Sequence, residues 1–449
     1  MGESMKLDAK VDVDVLALQQ EDEVTCLITL QAPLPQEAAD RPGESLVVVV
    51  DRSGSMRGRP LGAVRAALHG LVDRVRPQDT FGVVIFDSEA QIAVPARPMA
   101  DHHVPTVHGL IEGIQAGGST NLSGGYLLGL SEARRHLGAT GATVLLLSDG
   151  QANAGIVDPA QVGALAAQAS DERITTGTIG IGAGYDETLL AELATQGRGS
   201  HRFAHTPDDA TAVVGEEAGD LLAKSVVNAF VRITPADPAW IDRVGLLHDV
   251  RRWVETGADG VETIVVPLGD LYAGEQRELL VHVDVPALAA LGPQALLTLA
   301  IEYVSLPDLQ AQVVTWPVAV NVVSAEDAAG RVPDPTVTTA RLLAQATQDR
   351  KQATESLLHG DGEQAAMLME ESAQRLMACV ADLPEADPEA APMIARLTEE
   401  AEYLQTQARG AREQEAFVAR KSLMEDVQMS STGRSNADRR ERNRSKRRF

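Results

Sequence analysis

The sequence predicts an α/β protein with a doubly wound, mostly parallel sheet, joined to an antiparallel β-sandwich and a C-terminal helical hairpin or bundle. Three observations carry this expectation. Continuous apolar runs such as Ser45-Leu-Val-Val-Val-Val50 alternate with helical patterns, a later stretch switches to period-two alternation, and the last hundred residues carry apolar positions at helical spacing. With 449 residues, of which 44% are apolar, the chain exceeds what one core holds, so several domains are expected. Only 3% of residues are aromatic, which leaves Val, Leu, Ile and Ala to fill the interior of a dense sheet covered by alanine-rich helices.

The elements follow in order. Val11 to Leu16 and Val24 to Leu30 alternate apolar and polar residues around the turn residues Glu21 and Asp22, so residues 1–43 read as a β-hairpin and linker. This hairpin is expected to complete the later sandwich, which would make the α/β domain, residues 44–225, an insertion between two groups of strands. Inside that domain Phe81 to Phe86, Thr143 to Leu147 and Ile174 to Ile181 read as strands, separated by helices over Leu61 to Val75, Leu122 to Leu137 and Pro159 to Ala169. Gln91 to Val94 follows Phe86 after a short turn and should pair antiparallel at one edge. Asp186 to Gln196, Ser200 to Phe203 and a last helix from Pro207 to Lys224 close the series.

Residues 226–324 read as the sandwich, from Val226 to Ile233, Glu262 to Val266, Glu278 to Val285, Leu296 to Val304 and Gln312 to Val323. Residues 335–428 read as helical, with Leu342, Leu343, Ala346, Leu357, Leu358, Leu368, Leu376, Ile394, Leu397, Leu404 and Leu423 on apolar faces. Breaks at Gly360-Asp-Gly362 and Pro384 to Pro392 suggest three helices. The tail, 430–449, sets eight basic against two acidic residues and is expected to be disordered.

A formal charge of -25 excludes a general polyanion-binding surface, so nucleic acid is not expected as a partner except weakly through the basic tail. Cys26 and Cys379 are the only cysteines. They indicate no disulfide framework, and buried thiols in a reducing compartment account for both. Met1 to Val15 lacks the apolar stretch of a signal peptide, and no apolar run approaches the roughly 20 residues of a membrane span. The expectation is a cytoplasmic protein without membrane contact.

Asp51-Arg-Ser-Gly-Ser55 follows the apolar strand directly, at the carboxyl end where open α/β sheets bind ligands. In an extended loop the spacing i, i+2, i+4 directs Asp51, Ser53 and Ser55 to one side, with Gly54 allowing a tight turn. Hydroxyl and carboxylate oxygens suit a hard dication such as Mg²⁺. Gly117-Gly-Ser-Thr-Asn-Leu122 ahead of a helix and Leu145-Leu-Leu-Ser-Asp-Gly150 at the end of a strand bring two more loops to the same edge.

Together these three segments resemble the metal-ion-dependent adhesion site of von Willebrand factor A domains, of the bacterial intracellular type, over about Glu44 to Lys224. The resemblance implies that Ser53 and Ser55 ligate the metal directly, that Thr120 does so in the ligand-competent state, and that Asp51 and Asp149 act directly or through water. The metal is implied to be Mg²⁺, with Mn²⁺ or Ca²⁺ as alternatives, and its open position to take an Asp or Glu of a protein partner. The expected function is metal-dependent protein-protein interaction, as an adaptor or scaffold. The alternative is an accessory subunit of an AAA-type ATPase machine. The sandwich and A-type domain together also resemble inter-α-trypsin inhibitor heavy chains in arrangement only, since those are secreted proteins with a larger N-terminal domain.

Other signals are set aside. Gly180-Ile-Gly-Ala-Gly184 misplaces the third glycine of a dinucleotide fingerprint, and no P-loop run exists. His102, His103 and His108 lack a Cys or further His nearby to complete a zinc site and read as exposed loop histidines. No Ser-His-Asp set can be assembled, and a hydrolase using metal-activated water lacks a general base, so catalysis is not expected.

Overall fold

The computed structural model describes residues 5–34, 42–182, 184–221, 224–247, 250–306, 308–384, 390–412 and 416–431. They form two compact units, one spanning Gln36–Lys224 and the other built from Met1–Pro35 together with Ser225–Phe449. Among the described residues no helix is long and apolar enough to cross a membrane.

The chain begins with β1 (Lys6–Val11), β2 (Val15–Ala17) and β3 (Asp22–Gln31). β1 and β3 are the antiparallel pair, in register from Lys6↔Gln31 to Val11↔Cys26. The expected hairpin strand from Val11 to Leu16 is therefore broken. Asp12 breaks it, because one carboxylate oxygen takes the N–H groups of both Val13 and Thr25, each at 2.8 Å. That turn ends the ladder, and β2 goes to another sheet.

The α/β unit contains β4 (Ser45–Asp51), α1 (Arg59–Val72), β5 (Thr80–Phe86), β6 (Ala90–Pro98), α2 (Val104–Glu112), α3 (Leu122–Arg135), β7 (Ala142–Ser148), α4 (Pro159–Asp171), β8 (Ile174–Ile181), α5 (Glu187–Gln196), β9 (Arg198–Ala204) and α6 (Pro207–Leu221). The sheet order is β6-β5-β4-β7-β8-β9. All neighbours are parallel except β6, which returns antiparallel to β5 after a short turn. Every residue of β4 and β7 is buried, as helices on both faces require. The helix α2 was not expected from sequence. Its apolar positions Val107 and Ile111 are buried, but at nine residues they make too short a pattern to separate from a loop.

Helix α3 lies flat on the sheet because its core face carries glycines. A Cβ at Gly125 would stand 2.4 Å from the Phe86 ring, and one at Gly129 would stand 2.4 Å from Val49. Asn121 caps this helix by accepting the Gly124 N–H at 3.0 Å, which fixes where the preceding loop ends.

The second unit continues with β10 (Lys224–Pro235), β11 (Val244–Leu246), β12 (Trp253–Thr256), β13 (Glu262–Tyr272), β14 (Gln276–Val285), β15 (Gly292–Ser305) and β16 (Gln310–Val323). One sheet has the order β1-β3-β14-β11 and the other β12-β13-β10-β15-β16-β2, where β2 pairs parallel to β16 from Asn321↔Val15. Val24, Cys26, Ile28 and Leu30 of β3 share a core with Val231, Ile233, Leu297 and Leu299. Cys26 is wholly buried there, and burial pushes its thiol up to about 12. On the opposite face Leu27 and Leu280 pack under Val337, Ala340 and Ala344.

Those last three residues belong to α8 (Pro335–Leu358), which follows the short α7 (Ala325–Ala328). Then come α9 (Gly362–Asp382), α10 (Ala390–Arg412) and α11 (Ala416–Ser431). Among the described residues, four long helices thus stand where three were expected. Residues 413–415, between α10 and α11, lie outside the described residues. Ala346, Leu357, Leu376, Leu397, Leu404 and Leu423 form the bundle core, whereas Leu358 is exposed. Cys379 only packs against that core and is half-buried, unlike Cys26. From residue 432 on, the expected disordered tail lies outside the described residues.

Candidate metal centre

Asp51 is the last residue of β4 and is fully buried. Both of its carboxylate oxygens are engaged by the protein. One accepts the Ser53 N–H at 2.7 Å and the other accepts the Ser148 hydroxyl at 2.6 Å. Beyond Ser53 the chain coils into a 3-10 turn, Gly54–Met56, anchored by the buried Met56. The loop is therefore not extended as expected. The turn nonetheless keeps the Ser53 and Ser55 hydroxyls 3.0 Å apart, and the Ser55 hydroxyl donates to Asp149 at 2.7 Å.

Thr120 is held by its backbone. Its N–H donates to the Asn153 side chain at 2.9 Å, and its carbonyl accepts the N–H groups of Asn153 at 3.1 Å and Ala154 at 3.3 Å. The 117–121 loop is tied to the first loop by Gly117 N–H to the Arg52 carbonyl at 2.8 Å and Gly54 N–H to the Gly118 carbonyl at 3.2 Å. Gly118, rather than Gly54, is the glycine that takes a left-handed φ, 71°. A side chain there would also collide with Asp87 and Ser88 at 2.9 Å.

Gly150 shows where the oxygens converge. A Cβ on it would stand 3.1 Å from Ser55 Oγ, 3.5 Å from Thr120 Oγ1 and 3.8 Å from Ser53 Oγ. Three hydroxyls from two loops therefore surround one small space beside Asp149, and the residue next to Asp149 has no side chain to fill it. The five residues expected from sequence are brought to one edge of the sheet.

The electrostatics point the same way. Burial pushes the Asp149 carboxyl up to about 6, assisted by the nearby Asp51 charge and opposed by the Ser55 hydrogen bond. Burial also raises Asp51, although the hydrogen bonds from Ser148 and Ser53 act against it. Arg52, adjacent in sequence, turns away to pair with Asp87 at 2.9 Å. Two carboxylates whose ionised form is penalised by burial, beside three hydroxyls, make an all-oxygen donor set that fits a hard dication.

The sequence reading missed Ser148, Arg52, Asp87 and Asn153. Ser148 stood inside the quoted Ser-Asp-Gly run but faces Asp51, ninety-seven positions away. No spacing rule could have linked them.

Residues 45–216 match the family model of the von Willebrand factor type A domain, and the chain carries such a domain. YfbK of Escherichia coli (strain K12) is 26% identical over 248 residues, which cover 55% of this chain and 42% of that protein. Inter-alpha-trypsin inhibitor heavy chain H4 of Homo sapiens is 29% identical over 174 residues, covering 37% of this chain and 19% of that protein. The likeness to that group is thus one of sequence over those residues. The chain spans less than half the length of either relative. A solved von Willebrand factor type A protein from Catenulispora acidiphila superimposes with a TM-score of 0.72 at 16% identity, covering 97% of this chain and 98% of its own. At that identity it shows the fold.

Proposed function

We propose that the von Willebrand factor type A domain of this chain is a metal-dependent protein-binding module. Ser53, Ser55 and Thr120 would hold a dication through their hydroxyls, and Asp51 and Asp149 through their carboxylates or intervening water. The preferred ion is Mg²⁺, with Mn²⁺ and Ca²⁺ as alternatives of the same hard-oxygen chemistry. When bound, the ion supplies an electrophilic position for an Asp or Glu carboxylate of a protein partner.

The observation that carries this reading is the convergence of three hydroxyl oxygens on the Cβ position that Gly150 leaves unfilled, beside the Asp149 carboxylate that accepts from Ser55. The residues around the site have clear tasks in it. Ser148 and the Ser53 N–H orient Asp51, Asn153 fixes the backbone of Thr120, and the Arg52 pair with Asp87 braces the first loop.

The test is Mg²⁺ titration by calorimetry, followed by partner capture from native lysate with Mg²⁺ and with EDTA, using wild type and Asp149→Ala. Expected are loss of Mg²⁺ binding in the variant and loss of capture in both EDTA and the variant. Unchanged capture in both would overturn the proposal. A captured partner that is an AAA-type ATPase would show itself by ATP-dependent co-purification.

A further inference from the structure

Sequence spacing left His108 without a partner, and the structure supplies one. His69 on α1 and His108 on α2 stack with ring centroids 4.8 Å apart and an interplanar angle of 30°. Their Nδ1 atoms face each other at 2.6 Å. The far nitrogen of each ring meets a carboxylate, with His69 Nε2 3.4 Å from Glu112 Oε2 and His108 Nε2 3.3 Å from Asp73 Oδ1. Arg65 contacts the other oxygen of Glu112 and its carbonyl, so Oε2 is left to His69. The other two histidines are occupied differently. His102 Nε2 is 3.2 Å from the Phe81 carbonyl, and His103 Nδ1 is 2.9 Å from the Thr106 hydroxyl.

A carboxylate beside one imidazole nitrogen favours the proton on that nitrogen and leaves the lone pair on the other. Applied to both rings, this aims two Nδ1 lone pairs at one point. Two lone pairs at that separation repel unless an electrophile lies between them. A carboxylate behind each imidazole is also the arrangement that surrounds metal-ligating histidines, where it fixes the tautomer and raises ligand basicity.

We propose that His69 and His108 form a second cation site, for a borderline transition-metal ion such as Zn²⁺, Ni²⁺ or Cu²⁺, that clamps α1 to α2. Imidazole donors select these ions, whereas the all-oxygen centre selects hard dications. Two Zn–N bonds of about 2.0–2.1 Å in tetrahedral geometry place the nitrogens about 3.3 Å apart. Starting from their present separation of 2.6 Å, the ring nitrogens need to part by about 0.7 Å, and each ring must turn so that its lone pair leaves the line between the nitrogens and meets the ion beside it. Both side chains are about 30% exposed, which leaves room for that motion, for entry of the ion and for water in the remaining positions. Asp73 and Glu112 balance its charge. This site is independent of the reading given above for the hydroxyl and carboxylate centre.

The test is calorimetric titration of Zn²⁺ into the full chain, both in wild type saturated with Mg²⁺ and in Asp149→Ala, so that the oxygen centre is blocked in two ways. His69→Gln and His108→Gln should each weaken Zn²⁺ binding by at least about tenfold, and Asp73→Asn by about tenfold through the tautomer it sets. Glu23, His282 and Asp284 in the other unit bring ligand atoms within 4.8 Å of one another, so His282→Gln is the control and should leave this binding unchanged. Zn²⁺ affinity unaffected by both His69→Gln and His108→Gln would overturn the proposal, leaving a shared proton between the rings. Loss of binding with His282→Gln alone would overturn it equally.

Discussion

The hydroxyl and carboxylate centre and the histidine pair lie in the same α/β unit but are built by opposite means. The first gathers short side chains from the loops at the carboxyl ends of the parallel strands β4 and β7 and from the loop between α2 and α3, and its chemistry is hard oxygen. The second joins two helices through long side chains, and its chemistry is imidazole nitrogen backed by carboxylates. In the first, four of the five ligand positions follow from where β4 and β7 end, because a parallel sheet delivers such loops to one edge, and Thr120 is brought to them by the loop ahead of α3. In the second they follow only from how α1 and α2 pack. A site made by the sheet's own topology leaves a mark in the sequence, and one made by helix packing does not.

Substitutions that separate the two places should differ in size. Gly150→Val has the largest expected effect, because a branched side chain fills the space where Ser55, Thr120 and Ser53 converge. Mg²⁺ binding should fall by more than about a hundredfold, as for loss of a metal position rather than of its support, while Zn²⁺ binding at the histidine pair is unchanged. Equal loss of both in calorimetry would show that the two places are not separate. Ser148→Ala should act less strongly. It removes the 2.6 Å hydrogen bond that orients Asp51, so Mg²⁺ affinity should drop by about tenfold to a hundredfold and the melting temperature should fall, because a buried carboxylate oxygen loses its donor. No change in affinity would remove Ser148 from the supporting role assigned to it.

The smallest effect serves as a control outside both places. Burial alone would raise the Asp22 carboxyl, but the hydrogen bonds from Arg331 and the Glu23 N–H outweigh it and hold the group below its ordinary value. A depressed carboxylate stabilises the fold at pH above the unfolded value of about 3.9, and that contribution is lost as the pH falls further through the folded value. Asp22→Asn should therefore lower the melting temperature modestly at about pH 7, with the difference from wild type shrinking below about pH 4. A difference that stays constant down to about pH 2.5 would show that the pair with Arg331 contributes nothing. Neither Mg²⁺ nor Zn²⁺ binding should respond.

Much of the fold class was legible in the sequence. Apolar runs such as Leu46 to Val50 could not be mistaken, since β4 and β7 are buried along their whole length, and period-two alternation marked β14 and β15. Less legible were features set by a single side chain or by weak punctuation. Asp12, for example, diverted the chain before β2. The helix α2 was hidden because two buried apolar residues in nine are as compatible with a loop.

By itself the sequence determined the α/β class and the identity of Asp51, Ser53, Ser55, Thr120 and Asp149 as residues that could meet. Strand ends and loop chemistry are local, and a parallel sheet turns local positions into a shared edge. Only the tertiary structure decided that Ser148 faces Asp51, that Asn153 holds Thr120, and that His69 stands against His108 across thirty-nine positions. Those contacts depend on the packing of one element on another, and side-chain packing is long-range in the chain although short-range in space.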